Sequence, residues 1–223
     1  MHMSWYQLLH LGAPMLTLPA GSAIAAWLLA ARAWRAAFGW IVVFGLALGL
    51  VAASKIAFMG WATGLPALAF KAVSGHATGF AAVFPTLCYL AVPARARVPA
   101  AAAALALAAV VAAALVHAGE HTLAEAVAGW LIGAGAFVCT ARLAGRTSTT
   151  GTPTAAPGAA AAPAFAPAFA PAFAPTPATI ACAALAFLAS AWLLRSAPLN
   201  WWMIKVALVL SGNAAPVPWD HCG

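Results

Sequence analysis

The sequence predicts an all-α, polytopic membrane bundle of about six transmembrane helices, and three observations carry that prediction. Hydrophobic residues make up 65% of the 223-residue chain and charged residues only 6%, whereas a soluble domain carries roughly 25% charged residues. Mean hydropathy is +0.98. The apolar residues also fall in separate runs, each near the roughly 20 residues that cross a bilayer.

Taken in order, the expected spans are Leu11–Ala31, Ala37–Ser54, Ala77–Pro93, Val98–Val116, Thr122–Ala141 and Ala178–Leu194. Pro14 and Pro19 shorten or kink the first. The second runs unbroken to Lys55. The third is short and opens directly after Ser74-Gly75-His76. The fourth is alanine-rich and only moderately hydrophobic, which suits packing against protein more than lipid. The fifth opens on a polar segment around His121, and the sixth follows a low-complexity stretch. The expected organisation is therefore a core of five spans over residues 1–145, a linker over 146–177, and a last span with a Trp-rich tail over 178–223. Within the linker, Ala-Phe-Ala-Pro repeats through Phe165, Phe169 and Phe173. Proline at every fourth position excludes a regular helix there, and a spacer touching the membrane surface is expected. Trp201, Trp202 and Trp219 read as interfacial anchors, or as packing for a short amphipathic helix around Lys205.

The formal net charge is +7, which in a soluble protein would point to nucleic acid. Here the Lys and Arg residues are scattered between apolar runs, as topology determinants are, so the expected partner is the bilayer and not nucleic acid. Arginine pairs follow the first span (Arg32, Arg35), the third (Arg95, Arg97) and the fifth (Arg142, Arg146). The positive-inside rule places those loops in the cytoplasm. The loops Lys55–His76 and His117–His121, with both termini, then face the opposite side. Lys55 and Lys71 run against the rule there and call for another reason. Cys88, Cys139 and Cys182 lie in apolar runs, and with Cys222 they form no disulfide framework or zinc site by spacing. The N-terminus lacks the basic segment of a cleaved signal peptide.

Most informative polar residues gather on that non-cytoplasmic side: Lys55, Lys71, Ser74, Gly75, His76, His117, Glu120, His121 and Glu125. Ionisable groups near a bilayer are expensive to keep and mark functional sites. His121 and Glu125 are four apart at the start of the fifth span, so both are expected on one helix face. The carboxylate then fixes the imidazole tautomer and leaves the other nitrogen free to attack. Ser74-Gly75-His76 at a helix start offers backbone N–H groups, a hydroxyl and close approach to an anion. His76 beside it can act as general acid, and Lys55 supplies a cation. Each feature also has a plainer reading: a helix N-cap, an interfacial hydrogen-bonded pair, lysines that snorkel.

Lys55, the run Ser74-Gly75-His76-Ala77-Thr78, and His121-Thr-Leu-Ala-Glu125-Ala-Val-Ala-Gly129-Trp130 together resemble the signature blocks of the type 2 phosphatidic acid phosphatase (PA-phosphatase/haloperoxidase-like) superfamily. That family carries Lys…Arg-Pro, then Pro-Ser-Gly-His, then Ser-Arg…His-x-x-x-Asp, in the same order. The segment Lys55-Ile-Ala-Phe-Met-Gly-Trp61 resembles a bacterial membrane branch with Glu in place of the last Asp. The resemblance implies a membrane hydrolase acting on a lipid phosphate or isoprenoid diphosphate through a phosphohistidine, without metal or cofactor. It implies His121 as nucleophile, Glu125 as its orienter and His76 as acid. Lys55, Ser74, Gly75 and, as a substitute cation, Lys71 would hold the phosphate. It further implies a bacterial inner-membrane location with the site facing the periplasm.

Departures from the pattern are equally visible. Thr63, Gly64 and Pro66 occupy the region where an arginine is expected after Lys55, Val73 replaces the proline before Ser74, and the Ser-Arg pair reads Ala114-Leu115. Both arginines neutralise charge in the transition state, so a degenerate, non-catalytic relative that binds anionic headgroups is an alternative. A third reading comes from His117-Ala-Gly-Glu120-His121, which spells the inverted zincin motif His-x-x-Glu-His. It requires both histidines on one helix and a further ligand downstream.

Overall fold

The computed structural model describes residues 12–147 and 175–219. The Ala-Phe-Ala-Pro repeat with Phe165, Phe169 and Phe173, and likewise Cys222, lie outside the described residues.

Among the described residues, seven α-helices follow one another: α1 (Pro14–Ala30), α2 (Trp34–Trp61), α3 (Gly75–Ala91), α4 (Arg97–His117), α5 (Leu123–Thr147), α6 (Pro177–Leu194) and α7 (Leu199–Ser211). Short 3-10 turns at Pro66–Leu68 and Ala94–Ala96 interrupt two connections. The described residues form no strand beyond an isolated Leu65–Phe70 bridge. The all-α membrane bundle is therefore as expected. Among the described residues, four segments are long and apolar enough to cross a membrane: Trp34–Trp61, Ala94–His117, Leu123–Ala144 and Pro177–Leu194. α1 and α3 have 17 residues each, about 26 Å at 1.5 Å per residue, against a hydrocarbon core of about 30 Å. Proline sets the start of α1, where Pro14 occupies the first turn. The Ser74 cap sets the start of α3, and the extended Val92 its end.

α2 outruns its expected end at Ser54. It continues to Trp61 and closes on Ala62, whose left-handed φ of 51° turns the chain and lets its N–H reach Phe58 O. Lys55 is consequently a helical residue in the penultimate turns of α2, not a loop residue.

α5 packs most extensively on α3, and two glycines explain how. A Cβ at Gly129 would sit 2.5 Å from Ser74 O, and one at Gly133 would sit 2.4 Å from Thr78 O. Gly129-x-x-x-Gly133 is a small-residue stripe that lets backbones touch in a medium where lipid offers no hydrophobic drive. Alanines complete the seam: Ala77, Ala81, Ala82 and Ala126 are all buried. On the other flank, Trp40 of α2 stacks on Phe44 at 4.6 Å, and its Nε1–H donates to Gly21 O of α1 at 2.8 Å. A buried indole N–H needs such a partner. α6 leans on α1, with Thr179 buried, Phe187 packed against the core and most of its remaining residues exposed. α7 is the element without a counterpart among the expected spans. It is too short to cross, and it packs against α2.

Candidate active site

The C-terminal turns of α2, the loop before α3 and the start of α5 meet at one end of the bundle. Lys55, Lys71, His76, His121 and Glu125 line a single cavity there of about 610 Å³. The other end carries Arg32 and Arg95 in the connections, Arg35 and Arg97 in the first turns of α2 and α4, and Arg142 in the last turns of α5.

Glu125 organises the cavity, and both its oxygens are used. Oε1 accepts the backbone N–H of Lys71 at 2.9 Å. Oε2 faces His121 Nδ1 at 2.9 Å and accepts the Thr122 N–H at 3.2 Å. An ionised carboxylate only accepts, so Nδ1 carries the proton and Nε2 keeps its lone pair. Thr122 Oγ1 in turn accepts the Glu125 N–H at 3.4 Å. Thr122-Leu-Ala-Glu125 is thus a reciprocal capping box opening α5. The Glu125 carbonyl also accepts the Ser74 N–H at 3.2 Å, so the Lys71–Ser74 loop is fastened to this one residue at both ends.

His121 does not stand on the helix with Glu125. α4 ends at His117, Gly119 takes φ 74°, and α5 begins at Leu123. Only the left-handed backbone of Gly119 permits so tight a bend, a conformation glycine adopts without penalty. The Leu115 carbonyl then accepts the N–H groups of Glu120 at 3.0 Å and His121 at 3.4 Å, placing the imidazole over the first turn of α5. The same bend removes the geometric basis of the zinc reading. His117 is the last residue of α4, so no helix presents it together with His121. Among the described residues, no cluster of three or more His, Cys, Asp or Glu is placed to hold a metal.

His76, in the first turn of α3, faces His121 across the cavity, with ring centres 6.2 Å apart and planes tilted by 57°. Ser74 takes a different position from the one its sequence implied. It is fully buried, and its Oγ accepts the Ala77 N–H at 3.3 Å while its carbonyl accepts the Thr78 hydroxyl at 2.8 Å. Its hydroxyl is engaged as the N-cap of α3. Neither Ser74 nor Gly75 is among the residues lining the cavity. What the cap directs toward the cavity is the positive end of the α3 dipole, favourable to an anion by roughly 0.3–1 kcal/mol. Ser54, whose Oγ accepts the Val73 N–H at 3.1 Å, ties that loop to α2.

Where the arginine of the Ser-Arg pair would fall, Ala114 and Leu115 are buried, and Leu115 packs with Ala77, Ala112 and Ala126. Two cavity residues escaped the sequence reading. Asn200 opens α7, and Trp219 returns to the cavity from beyond it. Asn200 carries no local signal and Trp219 read only as an interfacial anchor, because both arrive at the cavity by tertiary packing of the C-terminal segment.

The chemistry of such a cavity is restricted. Two imidazoles face each other, one held by a carboxylate, between two lysines and a helix N-terminus. That set can attack an electrophilic phosphorus, protonate a leaving oxygen and balance anionic charge. No curated protein and no solved structure gives a match to the chain. Residues 57–148, which span the α3 start, both histidines and Glu125 and begin just after Lys55, match the model of the PAP2 superfamily. With the fold and the two-histidine cavity already in place, residues 57–148 resemble the PAP2 superfamily, whose members are phosphatases, and four helices among the described residues are long and apolar enough to cross a membrane.

Proposed function

We propose that the chain is a membrane-bound lipid phosphatase that hydrolyses a lipid phosphate or isoprenoid diphosphate through a phosphohistidine. His121 Nε2 attacks phosphorus, the bond from phosphorus to the leaving oxygen breaks, and His76 donates the proton that the leaving group needs. Water then attacks the phosphohistidine, His76 takes the proton back, and inorganic phosphate departs. Glu125 holds Nδ1–H and stabilises the imidazole as it acquires charge. Lys55 and Lys71 balance the phosphoryl oxygens, with the Gly75 backbone and the α3 dipole behind them. Ser74 supports that turn as its cap. Residues 1–145 form the catalytic unit, 146–177 a spacer, and 178–223 a last span with its tail. The site faces the periplasm of a bacterial inner membrane, because the arginine-bearing connections lie at the opposite end of the bundle.

The observation that carries the reading is the spacing of the rings. With ring centres 6.2 Å apart in the lining of one cavity, His76 and His121 are close enough for both to reach a single bound phosphoryl group. The test is phosphate release by purified, detergent-solubilised protein against a panel of lipid phosphates, beside His121→Ala. Vanadate should inhibit, and chelators should have no effect. Equal release by wild type and His121→Ala rejects the assignment. The absent arginines favour one second reading, a relative that binds anionic headgroups without turnover. That reading predicts lipid phosphate binding with no phosphate release.

A further inference from the structure

One wall of the cavity comes from neither histidine-bearing helix. Asn200 and Trp219 supply it, and both lie outside the PAP2 segment 57–148. The segment following α7 runs back along the last turn of α2 and is fastened there three times. Asn213 Nδ2 donates to Gly60 O at 2.6 Å. The Val217 N–H donates to Met59 O at 2.8 Å. The Trp219 ring stacks on Phe58 at 4.9 Å with planes 26° apart. The carbonyls of Met59 and Gly60 belong to the α2 C-terminus, whose last acceptors have no partner within the helix. The strap therefore caps α2 and delivers an indole to the cavity with the same contacts. Gly60 permits this closeness, because a Cβ there would meet Ser211 Cβ at 3.3 Å. Trp219 stays 42% exposed, so its stack leaves much of the ring uncovered.

Charge and shape indicate what this wall reads. The cations, Lys55 and Lys71, are on α2 and the loop before α3. The start of α7 and the strap add an asparagine and a tryptophan to the lining, whose carboxamide and indole are neutral donors that suit ester or hydroxyl oxygens better than a phosphoryl dianion. We propose that Asn200 and Trp219 form a substrate-recognition wall for the oxygen-bearing glycerol portion of a lipid phosphate, beside the reacting phosphorus. This rests on the phosphatase reading for its substrate class. Asn200 hydrogen-bonds the glycerol ester oxygens, and Trp219 covers the backbone of the same group. A prenyl phosphate offers hydrocarbon at that position and gains nothing from the carboxamide.

The test compares dioleoyl phosphatidic acid with farnesyl phosphate on the full-length, detergent-solubilised protein. Binding is measured by tryptophan fluorescence in the His121→Ala background, where turnover does not interfere, and kcat and KM are measured with His121 intact. Asn200→Ala should raise Kd and KM for phosphatidic acid about tenfold while leaving farnesyl phosphate within about threefold and kcat for both within about threefold. Trp219→Phe, which keeps a ring to stack on Phe58, should remove most of the phosphatidic acid-induced change in emission. Circular dichroism and melting of both variants should match the parent. Unchanged phosphatidic acid affinity in Asn200→Ala, or an equal loss for both lipids, overturns the proposal. If the wild type releases no phosphate, the phosphatase reading fails, and the Kd comparison still decides the wall.

Discussion

Removing the Glu125 side chain tests the centre of the site, because one carboxylate holds three donors from two places in the chain. In Glu125→Ala, the Lys71 N–H, the Thr122 N–H and His121 Nδ1–H lose acceptors now at 2.9, 3.2 and 2.9 Å. An orphaned donor costs about 1–3 kcal/mol when buried. Lys71, His121 and Thr122 are half-buried and water can reach the cavity, so a total of about 2–4 kcal/mol is expected. The rate should suffer more than stability, since loss of a carboxylate that orients a catalytic imidazole costs up to about 10⁴ in kcat. Glu125→Gln separates the two effects. Its oxygen is best placed toward His121 and Thr122, two donors, which points the amide NH₂ at the Lys71 N–H. That arrangement keeps the His121 tautomer and gives up one hydrogen bond, for about 1–3 kcal/mol and a rate loss nearer 10²-fold. The assays are phosphate release from a saturating lipid phosphate and thermal melting in the same detergent. Wild-type kcat in Glu125→Ala, or a Gln variant slower than the Ala variant, would refute the role given to this residue.

Other perturbations address other parts of the structure. Gly129→Ala puts a methyl 2.5 Å from Ser74 O, so it should force α3 from α5 and destabilise by about 1–3 kcal/mol, read as a lower melting temperature; Gly135→Ala, with nothing within 4 Å of its Cβ position, should melt like the parent. Lys55→Met keeps the stem and removes the cation, and should lower kcat/KM about 10²-fold with little change in melting; unchanged kcat/KM would place the charge elsewhere. A periplasmic, membrane-impermeant thiol reagent should label Lys71→Cys and spare Arg95→Cys in a background without native cysteines, and reversed labelling would overturn the proposed orientation. Gly119→Ala places a Cβ at φ 74°, which costs about 1–2 kcal/mol and should lower kcat more than it raises KM, because the bend aims His121.

Much of this protein was legible before folding was considered. Membrane class and the all-α architecture follow from composition and run length, since a chain with 6% charged residues cannot solvate its own surface. The six expected spans, however, became seven helices among the described residues, four of them long and apolar enough to cross. The pairing of His121 with Glu125 followed from spacing, although the route differed: the imidazole reaches its partner from a glycine bend ahead of α5, not from the same helical face. The Thr-x-x-Glu box and the Gly-x-x-x-Gly stripe of α5 were also present as local signals, and both mark where α5 starts and what it touches.

Tertiary structure alone decided the rest, because backbone groups and distant segments leave no mark on residue type. Lys71 contributes its amide to Glu125, a group every non-proline residue carries, so nothing in its identity announced that bond. Ser74 was readable as polar and well placed. Only packing under Gly129 and Ala77 made it a buried cap and withdrew its hydroxyl from the cavity. Asn200 and Trp219 are far along the chain from the signature blocks, and only the packing of α7 on α2 and the return of the strap beyond it bring them to the site. Sequence determined which chemistry the chain carries and in which solvent; the three-dimensional arrangement decided which of those groups face one another, because contact across helices depends on close approach and chain reversal, not on local pattern.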